Sequence, residues 1–140
     1  MKVVIDSNVF VAALDPRDRF HAECRPVFER LLRLEIEALC PVLVLVETVC
    51  VLRRRTNDAE LAANLLKNLA LLPGVNWLDM TVEVATQAGV LGVHTALRGG
   101  DAIVVQVAEQ YGIPLVTKDQ EMADRAPRGV WVLAPGDLPA

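Results

Sequence analysis

The sequence contains no apolar run long enough to span a bilayer. Its longest, Ala38 to Leu52, is interrupted by Pro41 and Glu47 and falls short of the roughly 18 uninterrupted residues a spanning helix needs. The N-terminal Met1-Lys2-Val3-Val4-Ile5 meets Asp6 too soon to form the apolar centre of a secretory signal, so a cytoplasmic protein is expected. Cysteine and histidine are sparse. Cys24, Cys40 and Cys50 are odd in number and lack paired spacing, which reads as reduced core thiols rather than a disulfide framework. His21 and His94 lie far apart and near no cysteine pair, which excludes a structural zinc site. Positive charge is also scarce: 14 Lys and Arg against 18 Asp and Glu give a net charge of -4. That balance argues against a module gripping nucleic acid by bulk electrostatics, but not against a nuclease whose own site contributes acids. Arg25, Arg30, Arg33 and the run Arg53-Arg54-Arg55 could form a local basic rim; the plainer reading is a solvated helix face and a helix C-terminus complementing its dipole.

What remains is a chain of 140 residues with 53% hydrophobic content, the size and composition of one domain over residues 1–140 with a single core. Strand and helix signals alternate along it. Val3 to Ile5, Leu39-Cys40, Val75 to Leu78, Leu115 to Thr117 and Val130 to Leu133 read as buried strands. Helical spacing occupies Pro26 to Leu34, Val42 to Leu52 with Pro41 in its first turn, and a leucine-rich stretch from Asp58 to the Pro73-Gly74 stop. From Thr81, Val82, Ala85, Gly89, Gly92, Val93 and Ala96 recur at helical spacing, and the small residues would allow close approach to the sheet. Arg98-Gly99-Gly100 breaks that helix, Asp101 caps the next through Tyr111, and a short helix passes through Met122. Strands separated by helices imply an α/β fold whose central, mainly parallel sheet is covered on both faces.

Four acids stand out from this apolar background. Asp6 ends the run Val3-Val4-Ile5, and Asp119 follows Leu115-Val116-Thr117-Lys118, so each is delivered just past a strand's C-terminal end. In open parallel sheets that edge is where ligands bind. Asp101 stands between Gly99-Gly100 and an apolar helix, and Glu47 interrupts a continuous apolar helix. Taken singly, Asp6, Asp101 and Asp119 are ordinary caps or turn residues. Glu47 has no capping role and would lose hydration, so it needs a partner or an ion. Clustered carboxylates repel one another and attract a divalent cation, and an all-oxygen set without His or Cys favours Mg²⁺ or Mn²⁺. Such a centre can activate water and orient a phosphodiester. Ser7, Asn8 and Thr117 offer neutral hydrogen bonds beside Asp6 and Asp119, suited equally to orienting carboxylates or to satisfying turn backbone.

The segments Val4-Ile5-Asp6-Ser7-Asn8-Val9-Phe10, Val46-Glu47, Leu97-Arg98-Gly99-Gly100-Asp101-Ala102 and Leu115-Val116-Thr117-Lys118-Asp119 resemble, in order, the successive motifs of the PIN-domain ribonucleases, most closely the VapC-type toxins of toxin–antitoxin pairs. The resemblance implies a three-layer α/β/α PIN-like domain and RNA cleavage dependent on Mg²⁺ or Mn²⁺. It also implies a homodimer, an inhibitory antitoxin, and an acidic quartet at Asp6, Glu47, Asp101 and Asp119. Two positions depart from the pattern: Cys40-Pro41 stands where Ser or Thr often begins the glutamate-bearing helix, and Met122 replaces an aromatic after the last motif. Glu121 and Asp124 follow Asp119 and could assist a metal, although solvation is the simpler role. Other classes fit less well. A haloacid-dehalogenase-type phosphotransferase would want Asp where Asn8 stands. A receiver-like signalling module, with Asp79 as phospho-acceptor, would want paired acids after the first strand and leaves Glu47 unexplained. A housekeeping PIN nuclease without a toxin role remains as an alternative, whereas the complete quartet argues against a PIN-like module kept only for binding.

Overall fold

The computed structural model describes residues 1–140. Five strands form one sheet: β1 (Lys2–Ile5), β2 (Glu37–Pro41), β3 (Val75–Leu78), β4 (Leu115–Val116) and β5 (Val132–Leu133), in the order β3-β2-β1-β4-β5. Every pairing is parallel, with Lys2 beside Glu37, Ile5 beside Val116, and Val116 beside Leu133. All strand C-termini therefore share one edge. The helices are α1 (Ser7–Leu14), α2 (His21–Leu32), α3 (Val42–Thr56), α4 (Ala59–Ala70), α5 (Val82–Thr95), α6 (Gly99–Tyr111) and α7 (Gln120–Arg125), with a 3₁₀ turn at Pro135–Asp137. Right-handed crossovers place α1 to α4 on one face as the chain steps from β1 to β3. The chain then reverses past β1 to β4, which puts α5 to α7 on the other face and gives three layers.

β1 to β4 is the point at which the strand order reverses, the place where α/β sheets open a crevice. The core runs beneath it: Val3, Val4, Ile5, Leu115, Val116 and Met122 have essentially no exposure. Met122 thus fills apolar space where the family motif often carries an aromatic.

Several sequence expectations change in detail. The helix α1 was not legible, because Val9-Phe10-Val11 has the β-branched and aromatic character of a strand; the Asp6 cap and burial of Val9 through Ala13 override that propensity. α2 begins at His21 and holds Pro26 in its interior on an exposed face, and it ends before Leu34, which turns at φ 58°. Pro41 closes β2 and occupies the N-cap of α3 with extended backbone instead of its first turn. α3 is only half-buried, leaving Val46 and Cys50 exposed, so Cys50 is not a core thiol whereas Cys24 and Cys40 are. α5 lies against α6 instead of the sheet: a methyl group added at Gly92 would sit 3.7 Å from the Ala102 β-carbon. Gly92 serves helix–helix approach, whereas Gly89 faces open space.

Candidate active site

Asp6 leaves the end of β1 and caps α1. Its Oδ1 accepts the Ser7 backbone N–H at 2.8 Å, and its Oδ2 accepts the Thr117 hydroxyl at 2.8 Å and the Asn8 amide at 3.0 Å. Thr117, beyond β4, is the hub of this lattice, since its oxygen also accepts from Asn8 at 3.1 Å and from the Asp119 N–H at 3.1 Å. Asn8 closes the ring by accepting the Lys118 N–H at 3.3 Å. Ser7 contributes its backbone, whereas Asn8 and Thr117 contribute side chains. The ends of β1 and β4 are thereby tied together around one carboxylate that is 5% exposed.

Asp119 caps α7 through Oδ1, which accepts the Met122 N–H at 3.2 Å. Asp101 does not cap α6. Arg98 holds that N-cap position without a side-chain bond, Gly99 and Gly100 enter the helix instead of breaking the chain before it, and Asp101 sits in the first turn. Glu47 projects from α3 toward the same helix start. A methyl group added at Gly100 would stand 3.4 Å from Glu47 Oε2, so the absence of a side chain there lets the carboxylate lie against α6. The Arg98 charge partly offsets that of Asp101.

These acids sense one another. Burial lifts the Asp6 pKa to about 6, opposed by the hydrogen bonds from Thr117 and Ser7 and reinforced by the charges of Asp101 and Glu47. Glu47 is raised by burial and then by Asp101. Asp101 is raised by burial and by the charges of Asp119 and Glu121. The sequence-derived quartet therefore shares one electrostatic neighbourhood at the C-terminal edge of the sheet. The carboxylates are not packed into a cage: no three of them stand close enough together to surround a metal ion in this arrangement. Glu121 pairs with Arg125 at 3.2 Å, and Asp124 accepts from Gln120 at 2.8 Å on the exposed side of α7.

A second charged group beside the site was not legible in the sequence. Arg55, at the end of α3, bonds Asp15 at 3.1 Å and Asp18 at 2.8 Å, and Lys118 approaches Asp18 at 3.7 Å while lying 4.2 Å over the Phe20 ring. Asp15 and Asp18 also accept the N–H of the residue two positions on, at 3.0 and 2.8 Å. The available signal was Asp15-Pro16-Arg17-Asp18, a pattern rich in such turns. Much of the envisaged basic rim is paired: Arg25 meets Glu29, Arg30 meets Glu35, Arg33 meets both, and Arg55 is committed to Asp15 and Asp18, whereas Arg53 and Arg54 stay exposed in the last turn of α3. Asp79, the acid of the receiver-like alternative, is exposed beyond β3, an edge strand.

The fold is shared with proteins of low sequence identity. VapC20 of Mycobacterium tuberculosis, described as a toxin cleaving the sarcin–ricin loop, superposes with a TM-score of 0.76 at 20% identity, over 92% of this chain and 98% of that one. VapBC2 of Rickettsia felis, bound to a promoter DNA fragment, gives 0.71 at 14% identity over 96% and 98%. FitAcB of Neisseria gonorrhoeae gives 0.70 at 19% over 99% and 100%. No curated protein matches the chain by sequence. The PIN domain family model matches residues 3–127, and the chain belongs to the PIN domain family.

Proposed function

We propose that residues 1–140 act as one unit, an endoribonuclease dependent on Mg²⁺ or Mn²⁺ and the toxin of a VapBC-type toxin–antitoxin pair. The observation that carries this reading is the placement of Asp6, Glu47, Asp101 and Asp119 on four separate elements around the switch point of the sheet, where Asp101 and Glu47 act on Asp6, Asp101 acts on Glu47 and Asp119 acts on Asp101. The likeness in fold to VapC20, VapBC2 and FitAcB supports the toxin assignment.

The donor set fits a hard divalent cation: it is all oxygen, neighbouring acids add to the raised proton affinity of Asp6, Glu47 and Asp101, and His and Cys take no part. The four acids would hold the ion, with Asp6 fixed by its lattice and the half-buried Glu47 and Asp101 adjusting their side-chain torsions. Bound there, Mg²⁺ or Mn²⁺ supplies neutralisation of the acids, a more nucleophilic water and stabilisation of the leaving oxygen. Thr117 and Asn8 keep the Asp6 carboxylate in one rotamer, so that it does not reorganise as charge develops. Glu47 lies against the start of α6 beside Gly100, placed to reach an ion held with Asp101.

Purified protein incubated with RNA should cut it with Mg²⁺ or Mn²⁺ and stop with EDTA, leaving 5′-phosphate and 3′-hydroxyl ends. Cyclic 2′,3′-phosphate ends, or full activity in EDTA, would refute the mechanism. A signalling role is disfavoured, because the sheet order differs from the receiver order 2-1-3-4-5 and Asp79 lies at the edge, away from the other acids. A PIN nuclease without an antitoxin would cut RNA in the same way but not arrest growth when expressed alone.

A further inference from the structure

Beside Asp119 the surface opens into a cleft of about 330 Å³ between the start of α2, the start of α7 and the segment following β5. It shares two residues with the acid site. Thr117 bonds Asp6, and Asp119 acts on Asp101, so the cleft adjoins the acid site through these two residues. The volume is near the lower end of the roughly 300–1,000 Å³ typical of small-ligand pockets. It suits a single nucleoside and not a duplex.

The lining selects by charge and by hydrogen-bonding sense. Glu23, Asp119 and Asp137 contribute three carboxylates, and the one cation is Lys118, which already approaches Asp18 and covers the Phe20 ring. The Gln120 amide nitrogen is engaged by Asp124 at 2.8 Å. Acceptors therefore outnumber available donors, and a phosphate would be repelled. Glu23 is held loosely, its Oε1 accepting the Gly136 N–H at 3.4 Å, which leaves Oε2 for a ligand. A carboxylate bonds best to two adjacent N–H donors. Among the four RNA bases, only guanine presents two neighbouring donors, N1–H and the 2-amino group, on its Watson–Crick edge. Adenine and cytosine place an acceptor nitrogen beside their amino group, and uracil flanks its single N–H with two carbonyls. Unpaired bases in single-stranded RNA expose that edge.

We propose that this cleft is a guanine subsite, with Glu23 and Asp137 as specificity-determining residues for one nucleotide adjacent to the scissile phosphate. The proposal rests on the ribonuclease reading and adds its sequence preference.

The test maps cut sites on a pool of randomised single-stranded RNA oligomers with Mg²⁺ or Mn²⁺. Guanine should be enriched at one fixed position relative to the cut. Replacing that guanine by inosine, which lacks the 2-amino group, should lower kcat/KM about tenfold or more, the scale of a hydrogen bond to a charged group. In Glu23→Gln and Asp137→Asn the ratio of cleavage at guanine to cleavage at other bases should collapse toward one. Cleavage by the wild type without a guanine preference, or indifference to inosine, overturns the subsite and leaves the nuclease standing. So does an unchanged preference in both variants. Failure of the wild type to cut any RNA with either cation overturns both readings.

Discussion

Asp6 loses hydration when β1 carries it inward, and three donors restore only part of what water supplied. Its pKa rises from 3.8 to about 6, so the folded protein binds this proton more tightly than the unfolded chain. That contribution to stability is complete below about pH 4 and is lost as pH rises to about 6. A rise from 3.8 to about 6 corresponds to on the order of 3 kcal/mol. Asp6→Asn should therefore unfold no earlier than wild type at neutral pH in EDTA, even though its amide meets the Asn8 donor less well than a carboxylate does. Its stability should fall less steeply than that of wild type as pH rises from 4 to 6, the remaining slope coming from Glu47 and Asp101, and RNA cleavage should drop by at least about a hundredfold. Thermal melts across that pH range check the first points, and a large loss of stability would show that the carboxylate serves only as a cap.

Elements are held in register around the site by groups outside the quartet. Arg55 fastens the end of α3, the helix that carries Glu47, to the loop after α1, and Lys118 links the same loop to the segment that carries Asp119. Hydrogen bonds and cationic neighbours hold the Asp15 and Asp18 carboxyls below the usual range. Their contribution is present at neutral pH and fades as pH falls below about 4 through the lowered folded values. Arg55→Met should cost about 1–2 kcal/mol in urea unfolding, a modest figure because the guanidinium is partly exposed, and the difference from wild type should shrink in acid. A second joint is steric. A methyl group on Gly74 would lie 2.7 Å from the Leu31 carbonyl oxygen, so Gly74→Ala should destabilise by roughly 1–3 kcal/mol, measured the same way.

These joints mark where sequence reading stops. The five strands and the acids at their ends were legible because short apolar runs bounded by turn residues have few other interpretations. Strand ends were less so: the last strand begins at Val132 instead of Val130, since two residues of pairing with β4 suffice. α1 was invisible because its propensity is that of a strand. The Arg55 pairing joins residues 37 positions apart, and no local pattern encodes such a partner.

At the scale of the whole molecule, one parallel sheet carries four acids scattered over the chain to one edge without packing them together, and the same architecture leaves apolar side chains facing outward. Leu61, Leu66 and Leu71 follow the α4 surface, and Val82, Val90 and Val93 that of α5. No helix is long and apolar enough to cross a membrane. Such surface is available to protein partners, and under the proposed toxin role its occupants would be a second copy of the chain and an antitoxin. Coexpression with an adjacent small open reading frame should yield a tight complex and relieve growth arrest, and the inhibitor should present Arg or Lys to the acids. A monomer that is harmless alone and binds no such product would remove the toxin role while leaving the nuclease chemistry open. The central claim, that Asp6, Glu47, Asp101 and Asp119 together hold a divalent cation, is tested most directly by calorimetric titration of metal-free protein with Mn²⁺. Wild type and the edge-strand control Asp79→Asn should bind saturably, and Asp6→Asn and Asp101→Asn should show little or no binding. Absence of binding to the wild type, or equal binding by all four proteins, would contradict the account.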